Sequence, residues 1–248
     1  AKLPASEGRA YDYYKKYTVC FNDTLSEGIT YDKLDSVVIN SNGHTYDITN
    51  YTSKYTITES QNSFVVKIPD VKTCAEGLDL NDGATITVTY TAHLNDKAYV
   101  NTRSGSTENK NSVQLQYSNN PRPGEYWGTT PKSEVYVYTY QLNNTKRAEK
   151  EDGTPLPGAG FRLYSNKDCT EEQEIKLKKN TTDGTYSPYF GTDAGDEMFS
   201  DEHGQFNVKG LDAGTYYLKE TNPPKDYSAC ANKEIVISAT HDGNHVSL

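Results

Sequence analysis

The chain has 248 residues, a net charge of −9, and 21 tyrosines against one methionine and one tryptophan. Its length suits two domains of ordinary size, and its bias toward tyrosine and threonine favours strands over helices. Acids are spread along the chain and no basic patch is visible, which argues against nucleic acid as a partner; no apolar run approaches a membrane span. The mean hydropathy of −0.83 leaves thin cores, so covalent staples are an expected supplement to burial.

Taken in chain order, residues 1–16 show no strand pattern, with Tyr11, Tyr13 and Tyr14 among lysines. Strands are expected at 17–22, 37–39, 55–57, 64–68 and 86–92, the last (ITVTYTA) alternating most cleanly. Turn formers such as Asn42-Gly43 and Asn81-Asp82-Gly83 separate these runs. Asn111 opens the next strand, with Val113, Leu115 and Tyr117 on one face. Residues 118–132, SNNPRPGEYWGTTPK, read as a linker with the domain boundary near Pro131. The run 135–142, VYVYTYQL, is expected to start the second domain, followed by strands at 161–164, 206–208, 216–220 and 234–238. The acidic segment 181–204 reads as a surface loop or hairpin insertion. Within 210–227, GLDAGTYYLKETNPPKDY, alternation puts Tyr216, Leu218 and Glu220 on one face. If Leu218 marks the core, Glu220 points inward, which is costly unless it is paired, protonated or used. Pro223 and Pro224 then stop the strand.

Four cysteines, Cys20, Cys74, Cys169 and Cys230, allow three disulfide connectivities. If each domain keeps its own pair, Cys20 joins Cys74 and Cys169 joins Cys230, each worth about 4 kcal/mol in the chain-entropy model; four reduced thiols are the alternative. Their separations suit no ordinary zinc site. Asp193, Asp196, Glu197, Asp201 and Glu202 lack EF-hand spacing, so no metal or other cofactor is expected. No HExxH or GxSxG element supports a hydrolase.

The stretch 210–227, preceded by LPGAGFRLY at 156–164 and GQFNVKG at 204–210, resembles the B-type immunoglobulin-like domain of Gram-positive pilins and collagen adhesins. The run DTLSEGITY at 23–31 and NSVQLQYSNNP at 111–121, followed by GTTPKSEVYVYTY, resemble the middle domain of sortase-assembled shaft pilins. The resemblance implies an all-β chain of two tandem immunoglobulin-like β-sandwiches, 1–130 and 131–248, lacking the N-terminal strand of the first and the C-terminal strand of the second. It also implies self-formed amide bonds between lysine and asparagine side chains, each assisted by a buried acid. By match of motif, Glu220 is the acid and Lys146 the donor of the second domain, although Lys150 is a rival and Asn143 and Asn144 interrupt the usual apolar alternation. Asp23 is the acid and Asn111 the acceptor of the first. Both acids are expected to be held protonated by burial, beside a neutral amine. The donor for Asp23 is expected before Ala1, since Lys15 and Lys16 lie too close to it. The acceptor for Lys146 is expected past Leu248, since Asn232 and Asn244 stand in no convincing strand.

The functional expectation is therefore a non-enzymatic shaft subunit of an extracellular, cell-wall-anchored fimbria, joined covalently to neighbouring pilin subunits through sortase. Neither a polymerisation lysine motif nor an LPxTG signal is visible. The alternative is an ancillary pilin or collagen-type adhesin with a host surface ligand, for which 181–204 is the candidate receptor face.

Overall fold

The computed structural model describes residues 1–100, 109–122, 126–242 and 245–247, the last residues from 241 onward by their backbone alone. It is all-β, and it divides into one unit of Ala1–His93 with Asn109–Tyr136 and another of Leu94–Glu108 with Val137–Leu248.

The first unit contains β1 (Val19–Leu25), β2 (Ile29–Ser41), β3 (His44–Asp47), β4 (Thr56–Ser60), β5 (Ser63–Ile68), β6 (Thr85–Leu94), β7 (Asn109–Ser118), β8 (Trp127–Thr129) and β9 (Ser133–Val137). One sheet runs β4-β5-β1-β7-β8, with β9 also on β7, and a second runs β3-β2-β6. The turn between β2 and β3 is Asn42-Gly43, both at positive φ (48° and 73°), which is the backbone twist that a two-residue hairpin needs. Val19, Phe21, Phe64, Val66 and Ile68 of the larger sheet meet Val37, Ile39 and Ile86 of the smaller in one core. That interleaving of two inner faces is a β-sandwich.

The second unit contains β10 (Tyr140–Leu142), β11 (Gly160–Tyr164), β12 (Leu177–Lys179), β13 (Tyr186–Pro188), β14 (Met198–Phe199), β15 (Val208–Leu211), β16 (Gly214–Asn222), β17 (Lys233–Ile237), β18 (Thr240–Asp242) and β19 (His245–Ser247). Its sheets are β10-β15-β13-β12 and β14-β11-β16-β17, with β18 and β19 as a separate pair. Phe161, Leu163, Tyr216 and Leu218 from one sheet pack against Leu177, Tyr186, Val208 and Leu211 from the other.

Two sequence expectations change here. The run 135–142 is not one strand: Ser133–Val137 pairs with β7 in the first unit and Tyr140–Leu142 with β15 in the second. Alternation records that a segment is extended but not which sheet it joins. The segment 181–204 is also more than a surface insertion. It supplies β13 and β14, and its Tyr186 and Met198 are buried in the core.

Candidate functional site

In the second unit the strand alternation of β16 buries Tyr216, Leu218 and Glu220 together. The Glu220 side chain has no exposed surface, and the Lys146 side chain is 14% exposed. The Lys146 ammonium donates to Glu220 Oε2 at 3.0 Å and lies 2.8 Å from Oε1, which receives charge but no aligned hydrogen bond. The Cys230 backbone N–H donates to the same Oε2 at 2.7 Å. Burial favours the protonated acid, but the Lys146 hydrogen bond and the Cys230 N–H and thiol outweigh it and hold the carboxyl below its ordinary value. The shift of Glu220 therefore runs opposite to the rise expected from burial alone.

Two loops aim Lys146. Its N–H donates to Gly204 O at 2.7 Å, and its carbonyl accepts from Leu156 N–H at 2.9 Å. Gly204 sits at φ +73°, and a Cβ there would stand 2.4 Å from the Lys146 oxygen, so glycine is required for this approach. The LPG and GQF motifs therefore clasp the lysine from both sides. Its ammonium then lies 5.9 Å from the centre of the Phe161 ring, itself stacked on Phe206 at 4.1 Å. Lys150 is exposed and pairs with Asp152 rather than with Glu220. Asn232 is turned away and donates to Cys169 Sγ at 3.2 Å. Asn244 lies outside the described residues.

In the first unit, Asp23 and Asn111 come together from neighbouring strands. Asp23 is opposite Val113, and Leu25 is opposite Asn111, so the two side chains are diagonal neighbours on one face. Tyr90, from β6 in the facing sheet, completes the group: Asn111 Nδ2 donates to Tyr90 Oη. Asp23 is 5% exposed, and burial pushes its carboxyl up to about 6 against the opposing hydrogen bonds of Asn111 and Tyr90. Burial followed by the Asp23 charge raises the Tyr90 phenol to about 12. Phe64 packs edge-on to Tyr90 at 4.7 Å, and Tyr31 lies 4.6 Å from Phe64. Under this aromatic cover Asp23 Oδ1 and Asn111 Oδ1 have no hydrogen-bond partner. Two unpaired buried acceptors on neighbouring side chains are what an amine donor would satisfy; among the described residues no ammonium is paired with Asp23. Sequence reasoning missed Tyr90. It belongs to the well-read strand ITVTYTA, but nothing local signals contact across the sandwich.

The cysteines do not form the expected pairs, and all four are free thiols. Val19 and Phe21 face the core that contains Cys74, so Cys20, between them on β1, points to the opposite face of the sheet. That is why a Cys20–Cys74 bond is a correction. Cys169 takes the Asn232 amide, while the Cys230 thiol faces Glu220 and is pushed up by burial and then by that carboxylate. The acids of 193–202 serve turns and ion pairs: Asp196 holds Lys178 and the Lys179 N–H, Asp201 accepts from His203 and Gln205 N–H, and Glu197 accepts from Thr221.

Residues 141–248, the sandwich that holds the buried pair, match the family model described as SpaA, prealbumin-like fold domain. No curated protein matches the chain. Solved structures resemble nearly all of it. The 35 kDa C-terminal fragment of the major pilin GBS80 of Streptococcus agalactiae has a TM-score of 0.66 at 21% identity, over 96% of this chain and 82% of that one. The pilus 2b backbone protein of group B streptococcus gives 0.61 at 23%, over 95% and 82%. Domains D2 and D3 of the major pilin SpaD from Corynebacterium diphtheriae give 0.60 at 20%, over 96% and 81%. At these identities the likeness is one of fold.

Proposed function

We propose that this protein is a structural shaft subunit of a covalently polymerised Gram-positive pilus, with each sandwich locked by an amide bond between its own lysine and asparagine side chains. The observation that carries the reading is the Lys146 ammonium 2.8 Å from the fully buried Glu220 carboxylate. A buried ion pair is weak evidence for stability alone, because desolvation offsets its attraction; as a poised nucleophile and acid it has a use. Passing the proton from ammonium to carboxylate leaves a neutral amine beside a neutral acid without changing net charge. Covering the pair with an apolar strand favours that neutral form. The amine nitrogen then attacks the asparagine Cγ while the protonated acid holds its carbonyl oxygen. The new C–N bond forms and the C–NH2 bond breaks; the leaving nitrogen takes the acid's proton and departs as ammonia, and the attacking nitrogen gives one of its two protons back to the carboxylate. Held partners supply the effective concentration that free side chains lack.

The acceptor for Lys146 and the donor for Asp23 are assigned to segments outside the described residues. A bond between first and last strands carries tension around a sandwich, whose unfolding under load is otherwise set by its barrier. The subunit class, the extracellular wall-anchored location and the sortase-joined neighbours rest on the solved pilins whose fold this chain shares. Tyr186 and Met198 tie 181–204 into the core, which favours a structural role for this segment over the receptor face of the adhesin alternative. Intact mass with peptide mapping on the chain extended at both ends, beside Glu220→Ala and Asp23→Ala, tests the proposal. One ammonia lost per sandwich, and one fewer in each variant, is expected. An unmodified parent mass overturns it.

A further inference from the structure

The larger sheet of the first unit has a solvent-facing side, and one end of it is unlike the rest of this acidic chain. Val19 and Ile68 face the core, so their neighbours Thr18 and Lys67 point outward, as does Ser118, whose Oγ accepts from Thr18 N–H at 2.9 Å. Around them a cleft of about 230 Å³ is lined by Lys15, Lys16, Lys67, Arg122, Tyr126 and Trp127. None of these four cations is in an ion pair, and no acid lines the cleft among the described residues. The sequence showed no basic patch because they come from three separated segments.

Four cations with no acid beside them among the described residues repel one another, a cost that an anionic ligand would relieve. The aromatic groups are placed to matter. Lys67 Nζ lies 5.9 Å from the Trp127 ring centre and steadies the indole, and Tyr126 is largely exposed beside it. Asn120 is fixed by a turn in which its Oδ1 accepts from Arg122 N–H at 2.9 Å. Cations beside aromatic faces suit a ligand with an apolar ring face and anionic substituents. The volume is below the roughly 300–1,000 Å³ of ordinary ligand pockets, so the cleft takes a single charged ring rather than a long segment.

We propose that this cleft is a binding site for an acidic sugar, a pyranose ring carrying sulfate or carboxylate, whether free or as a unit of an anionic glycan. The site is independent of the cross-linking reading above. Trp127 is the only tryptophan in the chain, so its fluorescence reports on this cleft. The experiment titrates the protein with a sulfated heparin disaccharide, a hyaluronan tetrasaccharide, neutral maltotetraose and inorganic sulfate. A saturable change is expected with at least one of the two acidic oligosaccharides. It weakens tenfold or more in Lys16→Gln/Arg122→Gln, whose exposed side chains leave folding intact, and is unaltered in the second-unit control Lys176→Gln. Four results overturn the proposal: no saturable response to either acidic oligosaccharide, an equal response to maltotetraose, an undiminished response in the double variant, or inorganic sulfate binding as tightly as the sugars.

Discussion

Replacing Asp23 by asparagine isolates the cost of a charge held in the first sandwich without its partner. Burial raises the carboxyl from 3.8 to about 6, so between those values the folded state binds more protons than the unfolded state. Stability from this group is therefore complete below pH 3.8 and is lost as pH rises through about 6. At about 1.4 kcal/mol per pH unit, the rise is worth about 3 kcal/mol. Because Asp23 is 5% exposed, solvent screening removes little of it. Asp23→Asn cannot ionise, so the variant gains about 3 kcal/mol relative to the parent between pH 3.5 and pH 8. Urea unfolding followed by Trp127 fluorescence measures it, since that indole lies in the first unit. Other titrating groups cancel in the difference between the two proteins. A parent-to-variant difference that does not move with pH refutes the argument that Asp23 is a desolvated acid.

Two further outcomes test the sites separately. Tyr90→Phe removes one of the two hydrogen bonds that oppose burial at Asp23, so the Asp23 pKa rises above about 6 in a carbon NMR titration; an unchanged or lower value refutes the contact's role. Glu220→Gln leaves the Lys146 cation without its counter-charge and destabilises the second sandwich by about 3 kcal/mol at pH 7, the low end for breaking a buried pair. The Glu220 carboxyl is held below 4.5, so its contribution is present above that value and is lost as pH falls through the folded-state pKa. Faster hydrogen exchange in β16 at pH 7, with the gap to the parent closing in acid, is the expected reading; equal exchange at pH 7 sinks it.

The sequence by itself determined what depends on short-range periodicity. Alternation in 216–220 placed Glu220 with Leu218 on the buried face, and Asn42-Gly43 marked a turn that the backbone makes. The expected Cys20–Cys74 pair failed because the core that Val19, Phe21 and Cys74 share lies on the face of β1 away from Cys20. Tertiary structure alone decided the rest, because those choices depend on contacts between residues far apart in the chain. Lys146 and Lys150 both follow the tyrosine-rich run; what separates them is the clasp of Lys146 by Gly204 and Leu156. Tyr90 reaches Asp23 across two sheets, a meeting that neither strand's pattern records. The run 135–142 looked like one strand because an extended chain alternates equally well whichever sheet it joins. Tyr186 and Met198 lay in an acidic, glycine-containing stretch, and only the core that receives them shows why they are apolar.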